Sequence, residues 1–341
     1  MPLQPSRPRI EVTFAAEWWH THYGMDFGRG TWLDPIARAE RAQRQARLLF
    51  ERFGAFGLGE EHPDPKPNLT AYGDRFMAAL WGCSIEYRSD QAPAAMVLPD
   101  AGKRMRNLKQ PVLDDSPIVK RAFTDTEILK ERYGYCDGAI NFGGPLNNAV
   151  SVFGEEILAA CIAEPELARN VLCAMAETVL AVHDQVTCVI NGATVSSPRP
   201  LGCIGNCPVC MISPDTYRDV VLPADLWLRQ HFHEFSLHHC GVFHPYAEVY
   251  QELRPDHLDI GWGTDLRATR RVYPYTPMSL EIQASVVVGK SRAEIDTIVE
   301  RTIDDAGPAE RITYLWVAEA GSELSDETVC DLLTSPERVQ V

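Results

Sequence analysis

The chain is predicted to fold as an α/β protein, a (β/α)₈ barrel, and three observations carry that expectation. From about residue 185 onward short apolar runs alternate with amphipathic helical stretches, the spacing of consecutive parallel βαβ units. No Gly-x-Gly-x-x-Gly element follows an early strand, which removes the main signal of a dinucleotide-binding doubly wound sheet. At 341 residues the chain exceeds the size of most single-core domains, yet barrels of this kind run to such lengths as one unit. One domain is therefore expected over residues 1–341, with 1–70 as an N-terminal wrapping segment with helical elaboration and 71–341 as the barrel.

Taken in order, the first helix is expected over Ile36 to Phe53, where small, apolar and Arg residues recur at helical spacing and Gly54 stands at the stop position. Three prolines between Glu61 and Pro67 mark a loop. Helices follow at Ile118 to Tyr133 and Glu155 to Val186, and a strand at Thr187 to Ile190. The alternation then reads as a helix at Asp215 to Phe235 and a strand at Phe235 to Cys240. Next come a helix at Pro245 to Leu253, a strand at Leu258 to Gly261 and a helix at Asp265 to Arg271. A strand at Met278 to Ile282, a helix at Arg292 to Asp305, a strand at Ile312 to Val317 and a final helix from Ser325 complete it.

Composition narrows the setting. A formal charge of −15 without a dense Lys/Arg tract argues against a nucleic-acid partner, since phosphates demand a basic footprint. No uninterrupted apolar run reaches the roughly 18 residues of a membrane span, and the N-terminus lacks the charged and then apolar pattern of a secretory signal. The expectation is a cytoplasmic protein without a membrane role, in which ten cysteines serve as thiols, ligands or core residues.

Ser236-Leu-His-His-Cys-Gly241 is the most informative stretch. His238 and Cys240 lie two residues apart on an extended segment, so their side chains share one side of it. A neutral imidazole and a thiolate so placed can grip one metal ion, and a buried Cys beside ordinary histidines is the competing reading. Cys203, Cys207 and Cys210 form a Cys-x₃-Cys-x₂-Cys run, the spacing with which radical enzymes hold an iron–sulfur cluster. A cluster or metal role shared with Cys240 stands beside a loop of unbonded thiols. Asp265 and Glu281 sit at predicted strand ends, where a general acid or a carboxylate orienting His238 belongs; for both, a solvated helix-cap role is the alternative.

Met211-Ile-Ser-Pro-Asp-Thr-Tyr-Arg-Asp-Val-Val-Leu-Pro223, then His238-His-Cys-Gly241, Leu258-Asp-Ile-Gly-Trp262 with Thr264-Asp-Leu266, and Ser291-Arg-Ala-Glu-Ile-Asp296 together resemble the uroporphyrinogen decarboxylase superfamily. Gly144-Pro-Leu-Asn-Asn148 and Ala163-Glu-Pro-Glu-Leu167 extend the resemblance more weakly into the N-terminal half. The substrate-binding Arg-Gln-Ala-Gly-Arg-Tyr element of true uroporphyrinogen decarboxylases has no match here; Trp18-Trp-His-Thr-His-Tyr-Gly-Met-Asp26 stands in that region. The resemblance is closest to the zinc-dependent corrinoid/thiol methyltransferase branch, whose His-x-Cys half-motif His238 and Cys240 match. It implies a barrel of uroporphyrinogen decarboxylase type, a zinc cofactor, and transfer of a methyl group between a corrinoid protein and a thiol or other small acceptor. The corrinoid would be carried by a partner, because no Asp-x-His-x-x-Gly element occurs in the chain. The branch's third ligand, a Cys after the last strand, is missing from Val317-Ala-Glu-Ala-Gly-Ser-Glu323, and Glu319 falls near its place. Alternatives are a lyase acting on a tetrapyrrole or small carboxylate, and an iron–sulfur protein built on the Cys203, Cys207 and Cys210 loop.

Overall fold

The computed structural model describes residues 8–72, 75–136, 140, 143–192 and 199–338. Eight strands are found among them: β1 (Arg9–Phe14), β2 (Ile85–Glu86), β3 (Ala94–Ala95), β4 (Arg199–Gly205), β5 (Phe232–His239), β6 (His257–Ile260), β7 (Met278–Glu281) and β8 (Ile312–Ala320). Six of them form one parallel sheet in the order β1-β8-β7-β6-β5-β4, and β2 and β3 make a separate antiparallel pair. The architecture is α/β of the (β/α)₈-barrel type, with six barrel strands among the described residues.

Alternation along each strand sets the two faces. On β5, Phe235, Leu237 and His239 are buried under the helical layer, while Ser236 and His238 face the other way and keep partial exposure. On β6 the buried residues are Leu258 and Ile260, with His257 and Asp259 on the opposite face. The helices that cover the sheet show the start and stop chemistry expected of them. Asp34 accepts hydrogen bonds from Ile36 and Ala37 at the start of Pro35–Phe53, and Ser291 with Glu294 forms a reciprocal capping box at the start of Arg292–Ala306.

Several sequence expectations give way. The stretch from Glu155 to Val186 is two helices, Glu155–Ala163 and Pro165–Asn191, broken at the residue before Pro165. Thr187 to Ile190 is the last turn of the second helix and not a strand. The strand expected there comes later, as β4, which carries Cys203 out of the predicted loop. Asp215 to Phe235 is not one helix: Pro214–Thr216 leads through a π-turn at Tyr217–Val221 into Leu222–Arg229, and β5 begins at Phe232. Residues 1–70 do more than wrap, since they supply β1, which pairs with β8 in the parallel sheet.

Among the described residues one helix, Pro165–Ile190, is long and apolar enough on average to cross a membrane, although polar residues interrupt every apolar run in it. Its stripe of Ala168, Val171, Leu172, Met175, Ala176, Val182 and Val186 is buried in the hydrophobic core, the pattern of an amphipathic core helix.

Candidate metal centre

The C-terminal ends of β4 and β5 lie side by side, with Gly205 in register with His238. Functional side chains of barrel enzymes gather at that end of the sheet. Asn206 follows β4, and its main-chain N–H donates to the His238 carbonyl at 2.8 Å, so the next residue, Cys207, is delivered beside His238 and Cys240. The Cys207 and Cys240 sulfurs are 2.8 Å apart, and His238 Nε2 lies 2.8 Å from Cys240 Sγ. Among the described residues these three form the group able to hold an ion, their ligand atoms all within 4.8 Å of one another.

A carboxylate stands behind the imidazole. His238 Nδ1 donates to Asp259 Oδ2 at 2.7 Å, and Trp316 Nε1 donates to Asp259 Oδ1 at 3.1 Å. The Asp259 bond holds the proton on Nδ1 and turns Nε2 toward the two sulfurs, the arrangement metal-binding histidines use. The register of β5 on β6 makes this contact, because His238 is opposite Asp259 and both face away from the helical layer.

The protonation of the cluster follows from that geometry. Burial pushes the His238 imidazole down, but its hydrogen bonds to Asp259 and Cys207 outweigh that and raise it to about 10. The hydrogen bond from Cys240 pulls the Cys207 thiol well below its ordinary value, with His238 adding to the effect, and the same shared proton pushes Cys240 up. Without a metal the two sulfurs thus hold one proton and one thiolate charge, and an ion bound at Nε2 of His238 would displace the proton there while Asp259 keeps the one on Nδ1. Burial pushes Glu281 up; its carboxyl accepts a hydrogen bond from the Trp262 main chain and feels the charges of His238 and Cys207.

The donor set fits zinc. Tetrahedral bonds of ~2.3 Å to sulfur and ~2.0 Å to nitrogen place ligand atoms roughly 3.6–3.8 Å apart. Cys207, His238 and Cys240 would separate by roughly 1 Å to reach that spacing, a side-chain adjustment. Three protein ligands leave a fourth position for a substrate atom.

Of the residues the sequence singled out, His238 and Cys240 are brought together and Glu319 is not. Glu319 lies near the end of β8, exposed, with a left-handed φ of 49° and its main-chain N–H bonded to Thr13, and its carboxylate is not part of the group. Cys207 takes the third place. The other two loop cysteines diverge from it. Cys203 belongs to β4 as an exposed side chain, and Cys210 donates back to the Cys207 carbonyl at 3.0 Å. The three thiolates therefore do not converge as an iron–sulfur site on this loop requires. Asp265 is engaged as the N-cap of Leu266–Val272, accepting from Ala268 N–H at 2.8 Å. Asp259 and Trp316 were missed by sequence reasoning. The alternation of His257 to Ile260 does place Asp259 on the open face of its strand, but its partner depends on inter-strand register.

The family model for uroporphyrinogen decarboxylase (URO-D) matches residues 75–317. The solved methyltransferase from Methanosarcina mazei is similar at a TM-score of 0.65 and 13% identity, covering 98% of this chain and 94% of that one. A B12-independent methionine synthase from Shewanella sp. W3-18-1, solved with selenomethionine, is similar at a TM-score of 0.50 and 11% identity, covering 97% of this chain and 95% of that one. No curated relative matches the sequence.

Proposed function

The chain belongs to the uroporphyrinogen decarboxylase (URO-D) family, and from that premise we propose that it is a metal-dependent methyltransferase, moving a methyl group between a corrinoid carried by a separate protein and a thiol or other small acceptor. The observation that carries the reading is the gathering of Cys207, His238 and Cys240 within 4.8 Å at the C-terminal ends of two adjacent parallel strands. The fold shared with a solved methyltransferase over nearly the whole chain supports it.

Cys207, His238 and Cys240 would hold zinc, which when bound supplies the Lewis acidity that strips the proton from a thiol and leaves a reactive sulfur at neutral pH. The chain's own residues arrange the rest. Asp259 keeps Nδ1 of His238 protonated and Nε2 free, and Trp316 keeps Asp259 in place. Glu281, paired in register with Trp316, has a carboxyl that burial pushes up, which suits it to take the proton an incoming thiol gives up. Asp265, committed to its helix cap, is left out.

The test is zinc content after anaerobic purification together with methyl transfer from methylcobalamin to a small thiol. About one zinc per chain and measurable transfer are expected, both lost in Cys207→Ala, His238→Ala and Cys240→Ala and both kept in Cys203→Ser, Cys210→Ser and Glu319→Ala. A folded protein that binds no zinc, or a Cys207→Ala variant that retains it, would refute the assignment.

A further inference from the structure

Directly behind the cluster lie five polar side chains with no solvent exposure, and the chemistry above uses none of them: Asn206, Tyr217, Asp225, His239 and Tyr250. They come from the end of β4, the π-turn, the helix Leu222–Arg229, β5 and the helix Ala247–Tyr250. Asn206 Nδ2 and the Tyr217 hydroxyl both donate to Asp225 Oδ2 at 2.7 Å. The Tyr250 hydroxyl lies 3.0 Å from His239 Nδ1.

Each metal-ligand candidate is a chain neighbour of this hub. Cys207 follows Asn206, and His239 stands between His238 and Cys240. The Asn206 main chain adds the bond to the His238 carbonyl. From the far side Gly144 presses on the same residue: its N–H donates to the Gly205 carbonyl, and a Cβ at Gly144 would lie 2.7 Å from Asn206 Oδ1.

The hub is costly for stability alone. Asp225 Oδ1, Asn206 Oδ1 and His239 Nε2 are buried without a hydrogen-bond partner, a desolvation cost that an all-apolar packing of the same elements would not carry. What the hub holds in place accounts for it better than what it packs. We propose that Asp225 is a positioning residue for the metal centre: by anchoring the Asn206 side chain it fixes the backbone that presents Cys207 and clamps it to the strand that presents His238 and Cys240. The proposal rests on reading the cluster as a zinc site.

The experiment measures zinc affinity of the full chain by competition with a chromophoric chelator, alongside thermal stability of the zinc-free protein. Asp225→Ala should weaken zinc binding about tenfold or more, the loss typical when a group that orients ligands is removed. Asp225→Asn, which keeps an acceptor oxygen for Tyr217 and Asn206, should restore most of it. Tyr217→Phe removes one hydroxyl, keeps the ring packing, and should weaken binding by a smaller factor; it decides the matter if Asp225→Ala does not fold. Leu332→Ala, a cavity variant in the helix Asp326–Arg338, should lower thermal stability and leave zinc affinity unchanged. Asp225→Ala and Tyr217→Phe behaving like Leu332→Ala, less stable but with wild-type affinity, would overturn the positioning role. A wild-type chain that takes up no zinc would overturn the metal reading, and this inference with it.

Discussion

Replacing Asp259 with Ala isolates the contribution of the carboxylate behind His238. The variant deletes the acceptor of two hydrogen bonds, 2.7 Å from His238 Nδ1 and 3.1 Å from Trp316 Nε1, and leaves the ligand position itself untouched. A hydrogen bond to a charged partner contributes about 1.5–3 kcal/mol. His238 and Asp259 both keep 23% side-chain exposure, so water can partly replace the lost partner and the low end applies. A loss of about 1.5 kcal/mol corresponds to roughly tenfold weaker zinc binding. Trp316→Phe touches the ligand only through Asp259 and should cost a few-fold at most. Zinc competition titrations at fixed pH, with circular dichroism to verify the fold, read both numbers. Wild-type affinity in folded Asp259→Ala, or a larger effect from Trp316→Phe than from Asp259→Ala, would refute the claim that this carboxylate orients the imidazole.

Two further outcomes follow from the geometry. A Cβ at Gly261 would lie 1.9 Å from the Cys240 carbonyl oxygen, a clash of backbone with backbone that no rotamer relieves. Gly261→Ala should therefore lower stability by about 1–3 kcal/mol and weaken zinc binding, read from the urea midpoint and the chelator titration. Burial raises the Asp225 carboxyl from 3.8 to about 6 against the bonds from Asn206 and Tyr217. An acid raised in the folded state binds its proton more tightly there, so the contribution is full below about pH 4 and is lost as pH rises through about 6; two pKa shifts of one unit set its ceiling near 3 kcal/mol. Urea midpoints between pH 4 and 7 should fall more steeply with rising pH for the wild type than for Asp225→Asn, and parallel curves would count against the burial argument.

What the sequence revealed and what it hid have separate physical causes. His238 and Cys240 were legible because i, i+2 spacing on a strand is a local property. Cys207 was visible only as a spacing, since its approach to Cys240 depends on the pairing of β4 with β5. β4 itself, Arg199-Pro-Leu-Gly-Cys-Ile-Gly205, carries a proline and two glycines that speak against a strand, and among the described strands it pairs on one side only, with β5, a position where such residues are tolerated. Thr187 to Ile190 is rich in β-branched residues and reads as extended, yet it completes a helix whose buried stripe already commits the segment. Glu319 was placed by analogy of position. The strand β8 runs on to Ala320, and Glu319 is exposed on it, outside the Cys207, His238 and Cys240 group.

The pairing of β1 with β8 also bears on how the chain reaches its fold during synthesis. Thr13 bonds to the Val317 carbonyl across 304 positions, so β1 emerges long before the strand it pairs with among the described residues. At about 5–20 residues per second the wait is roughly 15–60 s, during which an edge with alternating Ile10 and Val12 is open to wrong partners. The local aromatic cluster offers a way to shelter it. Phe14 packs on Trp18 at 4.1 Å and on Phe53 at 6.0 Å, both within the first 53 residues, so β1 can dock on its own helices while the ribosome completes the strand that closes on it.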